Sequence, residues 1–186
     1  MTPLRVLSYG GGVQSTALVV MATRGELAVD AVVFSDTGWE SASTTRTVKR
    51  AAAALAEAGI AFYQVSGGSV RDPRGLLSMP TFAAPNEDKA AGMVRRQCTG
   101  DYKIAPVRRQ VSALLAERGQ RKRPGSVVQI MGISMDEAHR MKPSDVAYIE
   151  HEYPLVDWRW RRDRCLTYLT AAGWTEVQKS GCVGCP

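Results

Sequence analysis

Ser8-Tyr9-Gly10-Gly11-Gly12-Val13-Gln14-Ser15-Thr16 is the stretch from which the fold can be read. It separates a short apolar run, residues 4–8, from residues 15–24, which suit a helix. A glycine turn between a strand and a helix is where nucleotide sites form in open α/β sheets. Glycine permits positive φ and lets backbone N–H groups approach phosphate oxygens closely. Ser15 and Thr16 add hydroxyls and free N–H groups at the positive end of the helix dipole. Ser8, Gly10, Gly11, Gly12, Gln14, Ser15 and Thr16 are therefore the candidate phosphate contacts. Two common motifs are excluded. The ATPase P-loop needs lysine where Gln14 stands, and the dinucleotide fingerprint needs a third glycine where Ser15 stands. The alternative is a tight turn without ligand, but three glycines followed by Ser-Thr exceed what a turn requires.

The same strand–turn–helix pattern repeats outward from the loop. Residues 31–35 form a continuous apolar run of the kind buried on both faces of a sheet. Residues 41–58 read as a helix stopped by Gly59, and residues 61–65 as a third strand. Between residues 66 and 92 periodicity gives way to Gly, Pro, Ser and Asn, which predicts a long functional loop or lid. A helix over 105–118 has Pro106 in its first turn, and residues 127–131 and 146–149 supply a fourth and a short fifth strand. A last helix is expected over 158–172, ended by Gly173. Alternation of this kind predicts a doubly wound parallel α/β sheet, and 186 residues without a linker predict a single domain.

The net charge is +6, with basic residues clustered at Arg95-Arg96, Arg108-Arg109, Arg121-Lys122-Arg123 and between Arg159 and Arg164. Such clustering suits a phosphate-rich partner, either nucleotide or nucleic acid. No apolar run approaches the roughly 18 residues of a membrane span, and no signal-peptide pattern opens the chain. A cytoplasmic protein without a membrane partner is the expectation. Four cysteines in that setting do not suggest a disulfide framework. Cys182 and Cys185 have the spacing that lets two thiolates grip one metal centre, and a chain stopping at Pro186 directly after them predicts a continuation.

Several segments together resemble the PP-loop ATP pyrophosphatases, in the branch of phosphoadenosine phosphosulfate reductases and DNA phosphorothioation enzymes. They are Gly10 to Ser15, Ser35-Asp36-Thr37-Gly38-Trp39-Glu40, Cys98 to Pro106, Gly132 to Arg140, and Lys179 to Pro186. They cover nearly the whole chain in the expected order. The resemblance implies that the loop holds the pyrophosphate portion of ATP with Mg²⁺. The loop departs from the usual Ser-Gly-Gly-x-Asp-Ser at Gly10 and Gln14. Losing that aspartate leaves Asp36 as the best acid to face the metal, unless it is a turn residue or helix cap. Arg95, Arg96 and Lys103 are candidate contacts to the anionic groups, with Lys103 and Asp36 as the catalytic pair; a solvated basic face is the alternative. Gly132 and Arg140 are further nucleotide candidates, although Arg140 also suits a surface pair with Asp136 four residues away. Neither His139 nor His151 is assigned a role.

Cys98, Cys182 and Cys185 make a three-thiolate constellation, and Cys165 is either a fourth ligand or a buried structural cysteine. Thiolates favour zinc or an iron–sulfur cluster. The resemblance selects [4Fe–4S], with zinc the alternative. Trp158 and Trp160 are expected in the core of an amphipathic helix, while the neighbouring arginines remain open to phosphate contact. The function implied is adenylating sulfur transfer to nucleic acid (tRNA or DNA) or a nucleobase, with a sulfur donor protein as a further partner. Reduction of adenylyl sulfate or its 3′-phosphate, and non-catalytic nucleotide binding, are the alternatives. Oligomeric state is not legible.

Overall fold

The computed structural model describes residues 2–72, 79, 82–83, 92–93 and 97–183. Its strands are β1 (Leu4–Tyr9), β2 (Ala31–Asp36), β3 (Ala61–Ser66), a short antiparallel pair β4 (Phe82–Ala83) and β5 (Gly92–Met93), then β6 (Val127–Met131) and β7 (Ile149–Glu152). Its α-helices are α1 (Val13–Thr23), α2 (Ala42–Glu57), α3 (Ala105–Glu117), α4 (Pro154–Asp157) and α5 (Arg162–Ala171). Five strands form one parallel sheet in the order β3-β2-β1-β6-β7. The expected doubly wound α/β architecture is therefore present. No described helix is long and apolar enough to cross a membrane.

The two-residue strand period divides the core into two layers. Leu7, Tyr9, Val32, Phe34 and Ile130 pack against α1, α2 and α5. Leu4, Val6, Ala31, Val33 and Val127 pack against Val107, Val111, Leu114 and Leu115 of α3. Each fully buried aliphatic side chain is worth about 1.5–3 kcal/mol relative to exposure, so the two layers hold the sheet centre firmly. Strand order reverses at β1, with β2 and β3 on one side and β6 and β7 on the other. In open α/β sheets a reversal of this kind places the ligand crevice at the carboxyl ends of the strands, here where β1 and β6 end.

Three expectations shift. Much of 66–92 lies outside the described residues, but β4 and β5 fall within or at the edge of it. The fifth strand is Ile149–Glu152 rather than 146–149. The single helix over 158–172 is replaced by α4 and α5, because α4 starts at Pro154 and closes one turn later. Its end is a Schellman motif: Trp160 N–H donates to Leu155 C=O and Arg159 N–H to Val156 C=O. All five α-helices among the described residues end with this pair of bonds. The left-handed position is Gly25, Gly59, Gly119 and Gly173 in four of them, and Arg159, at φ 56, in α4.

Candidate nucleotide site at the carboxyl edge

Gly12 is the N-cap of α1 and has no side chain to cap it, so the first-turn N–H groups of the helix point into the crevice without an intrahelical acceptor. Gly11 has φ 71, and a Cβ there would lie 2.8 Å from Thr44 Cγ2 on α2. Its glycine is demanded by the backbone and by α2, before any ligand is considered. Gly10 is different: a Cβ there would meet nothing closer than 3.9 Å. Its N–H donates to Ser15 Oγ at 3.3 Å, and Ser15 Oγ donates to Gly12 C=O at 3.3 Å, which braces the turn from inside. Thr16 is fully buried with its hydroxyl 3.2 Å from that of Tyr9, whose pKa burial pushes well above the usual phenol range. Ser8 sits within β1 opposite Met131, ahead of the turn proper.

The chain leaving β6 closes on the start of α1. A Cβ at Gly132 would stand 2.8 Å from both Cα and N of Ser15, so glycine is required for that approach. The Gln14 amide donates to Ser134 Oγ at 3.3 Å, and Ser134 Oγ donates to Asp136 Oδ1 at 2.7 Å. The same carboxylate oxygen accepts the Arg162 N–H at 3.1 Å, at the start of α5. Burial lifts the Asp136 carboxyl, but hydrogen bonds from Ser134 and the backbone and the Arg161 charge outweigh it, and its pKa falls below the usual value. Gln14 thus clasps the β6 exit.

On the opposite flank, Asp36 accepts from Gly38 N–H at 2.8 Å and from Gln64 Nε2 at 3.0 Å, the turn-residue arrangement. Thr37 Oγ1 donates to Glu40 Oε1 at 2.8 Å and lies 3.0 Å from Cys182 Sγ. Val183 N–H donates to Trp39 C=O at 2.9 Å, and Glu40 and Cys182 form an antiparallel bridge. The C-terminal segment is thereby laid across the glycine loop, with Ser180 Oγ 2.8 Å from where a Gly12 Cβ would be. Lys103, half-buried, lies in a π-helical turn, Gly100–Ile104, that is docked on β2 by Ser35 Oγ donating to Tyr102 C=O at 2.7 Å. Cys98, also half-buried, is one turn upstream.

No protein-family model matches this chain, and no curated protein matches it. Among solved structures, the U34-tRNA thiolase NcsA from Methanococcus maripaludis with its [4Fe-4S] cluster aligns with a TM-score of 0.50 and 12% identity. The fold is shared. The alignment covers 100% of this chain and 61% of the thiolase, so this chain spans about three fifths of that protein's length.

The remaining candidates divide. Arg140 is exposed and pairs with Glu137 at 2.8 Å, three residues back along the 3₁₀ turn Met135–Arg140; the alternative pair with Asp136 is not formed. Cys165 is fully buried among Leu169 and the α1 side chains, and burial raises its thiol pKa to about 11. Cys98 and Cys182, by contrast, are half-buried at the carboxyl edge. Soft thiols at that edge fit a zinc or iron–sulfur centre in donor chemistry. Among the described residues, no group of three Cys, His, Asp or Glu side chains gathers as a ready metal cage. Arg95, Arg96 and Cys185 lie outside the described residues. Sequence reading missed Thr37, Ser134 and Ser180 as individual site residues. Each adjoins or lies within a quoted motif, but hydroxyl residues carry no periodic signal.

Proposed function

We propose that the chain is an ATP-dependent sulfur-transfer enzyme acting on nucleic acid. The observation that carries this reading is the meeting of the glycine loop and the cysteine segment at one sheet edge: Ser180 against Gly12 and Cys182 against Thr37. The shared fold with a tRNA thiolase and the +6 charge support it. The first-turn N–H groups of α1, from Val13 to Ser15, would hold the pyrophosphate portion of ATP, with Arg95, Arg96, Lys103 and Arg140 balancing its charge. Asp36 retains lone pairs for a hydrated Mg²⁺ beyond the two hydrogen bonds it accepts. An oxygen of the acceptor base attacks the α-phosphorus; the bond to the bridging oxygen breaks, and pyrophosphate leaves with that electron pair into the loop. The base then carries AMP on its oxygen. A hydrosulfide-level sulfur, brought by a donor protein, attacks the activated carbon, the C–O bond breaks, AMP departs and the sulfur's proton passes to water. Cys98, Cys182 and Cys185 would hold a [4Fe–4S] cluster, or zinc; when bound, the cluster supplies an iron able to carry the transferred sulfur. The protein's share is positioning and charge neutralisation.

Protein purified without oxygen is expected to contain iron and acid-labile sulfide, and to release pyrophosphate from ATP when tRNA or DNA is added. Colourless protein holding only zinc, with no pyrophosphate release, overturns the reading. A second reading, nucleotide binding without catalysis, is favoured by Gln14, whose amide engages Ser134 and offers no carboxylate to Mg²⁺. It predicts ATP binding with no pyrophosphate released for any acceptor.

A further inference from the structure

Among the helix ends, α4 is the exception that carries information. Four left-handed closing positions are glycine, whereas α4 closes on Arg159 at φ 56, a conformation that costs any residue with a Cβ. Arginine there forgoes the stability glycine would supply. The turn presents Trp158, which is 42% exposed. Its ring meets Trp160 edge-on at 6.2 Å. Trp160 is fully engaged: it packs on the core, lies 5.5 Å from Tyr168 and carries the Arg164 guanidinium 4.7 Å above its face. Trp158 is thus a braced ring with part of its surface turned outward. Around it Arg159, Arg161 and Arg164 are exposed, and none of them, nor Arg162, takes part in an ion pair among the described residues.

The turn is also tied to the glycine-loop edge of the sheet. Trp160 C=O accepts from Met135 N–H at 2.8 Å, and the bonds from Arg162 through Asp136 and Ser134 lead to Gln14. A second basic cluster, Arg121-Lys122-Arg123, lies at the opposite edge, where Ser126 C=O receives the Leu4 N–H at the start of β1. An outward aromatic ring flanked by unpaired arginines is complementary to a single-stranded nucleic acid, which offers a base face and phosphates together.

We propose that the turn from Trp158 to Arg161 is the docking point for the acceptor strand: Trp158 stacks an unpaired base, and Arg159, Arg161 and Arg164 take the flanking phosphates. This rests on the reading that the acceptor is nucleic acid. The test measures binding of tRNA, a single-stranded oligonucleotide and heparin, a polyanion without bases, to the full chain. Trp158→Ala should weaken oligonucleotide binding roughly 5- to 150-fold, from the usual worth of one base stack. Heparin affinity should be unchanged, and Trp158→Phe should restore most of the loss. Arg159→Gly should move two readouts in opposite directions, raising Tm by roughly 2–4 °C while lowering oligonucleotide affinity. Changing Arg121, Lys122 and Arg123 together to Gln should cost less than Trp158→Ala. The proposal is overturned if Trp158→Ala binds the oligonucleotide like wild type, if it loses heparin equally, or if Arg159→Gly gains stability with affinity intact. Wild-type protein that binds ATP but neither tRNA nor oligonucleotide removes the acceptor reading itself, and the docking point with it.

Discussion

The two flanks of the glycine loop are held by different chemistry. On the β2 side, the C-terminal segment rests on a hydroxyl–thiol contact at 3.0 Å, a long Cys182–Glu40 approach at 3.9 Å and the Val183–Trp39 backbone bond. On the β6 side, Gln14, Ser134, Asp136 and Arg162 N–H form a chain ending on a carboxylate, beneath which Gly132 lets two backbones touch. Sulfur is a weak hydrogen-bonding atom, whereas bonds to an ionised acceptor are about twice as strong as neutral ones. One flank is therefore held by close packing and a charged acceptor, and the other by weaker thiol contacts and one backbone bond.

The two flanks should differ most in what happens to bound iron when a cysteine is removed. Cys182→Ala should lose nearly all iron and acid-labile sulfide, while Cys165→Ala should keep both and lose only core packing. Elemental analysis of the two variants decides it, and equal iron in both would remove Cys182 from the metal site. On the β6 flank, Gly132→Ala should destabilise by about 1–3 kcal/mol, because the new methyl meets Ser15 backbone atoms that cannot swing away. Thermal melting with an unchanged midpoint would show that this flank yields. Gly10→Ala should separate fold from ligand. Its Cβ has room at 3.9 Å, so Tm should hold while ATP affinity falls by about tenfold, or about 1.4 kcal/mol, as measured by calorimetry. The smallest effect belongs to Asp136→Asn, below about 1 kcal/mol for so exposed a group. The Asp136 pKa is depressed in the fold, so its contribution is present above the unfolded value near pH 4 and fades as pH falls through the folded one. The gap in Tm between wild type and Asp136→Asn should therefore close on acidification; a gap that widens in acid would reverse the assignment.

Much of the site was legible because it is local. The strand, glycine turn and helix around Gly10–Thr16 occupy consecutive residues, and so do the turn after β2 and the approach to α3. What could not be read was which candidate serves the fold. Gly11 and Gly132 look like ligand glycines in the sequence, yet a Cβ on either would strike Thr44 or Ser15 across the structure. Cys165 looks like a fourth ligand, yet it is packed between helices. The helix expected over 158–172 is broken at Arg159, and nothing local announces that an arginine will take the left-handed position.

Hydrophobic periodicity and glycine punctuation by themselves determined the parallel α/β sheet and the loop at the end of its first strand, because burial and φ freedom act residue by residue. Only the tertiary structure decided the company that loop keeps. Strand order places β1 between β2 and β6, and that arrangement brings Ser180 and Cys182 to one flank and Asp136 to the other. Contacts between residues more than a hundred positions apart depend on how whole elements pack, and no local pattern encodes them.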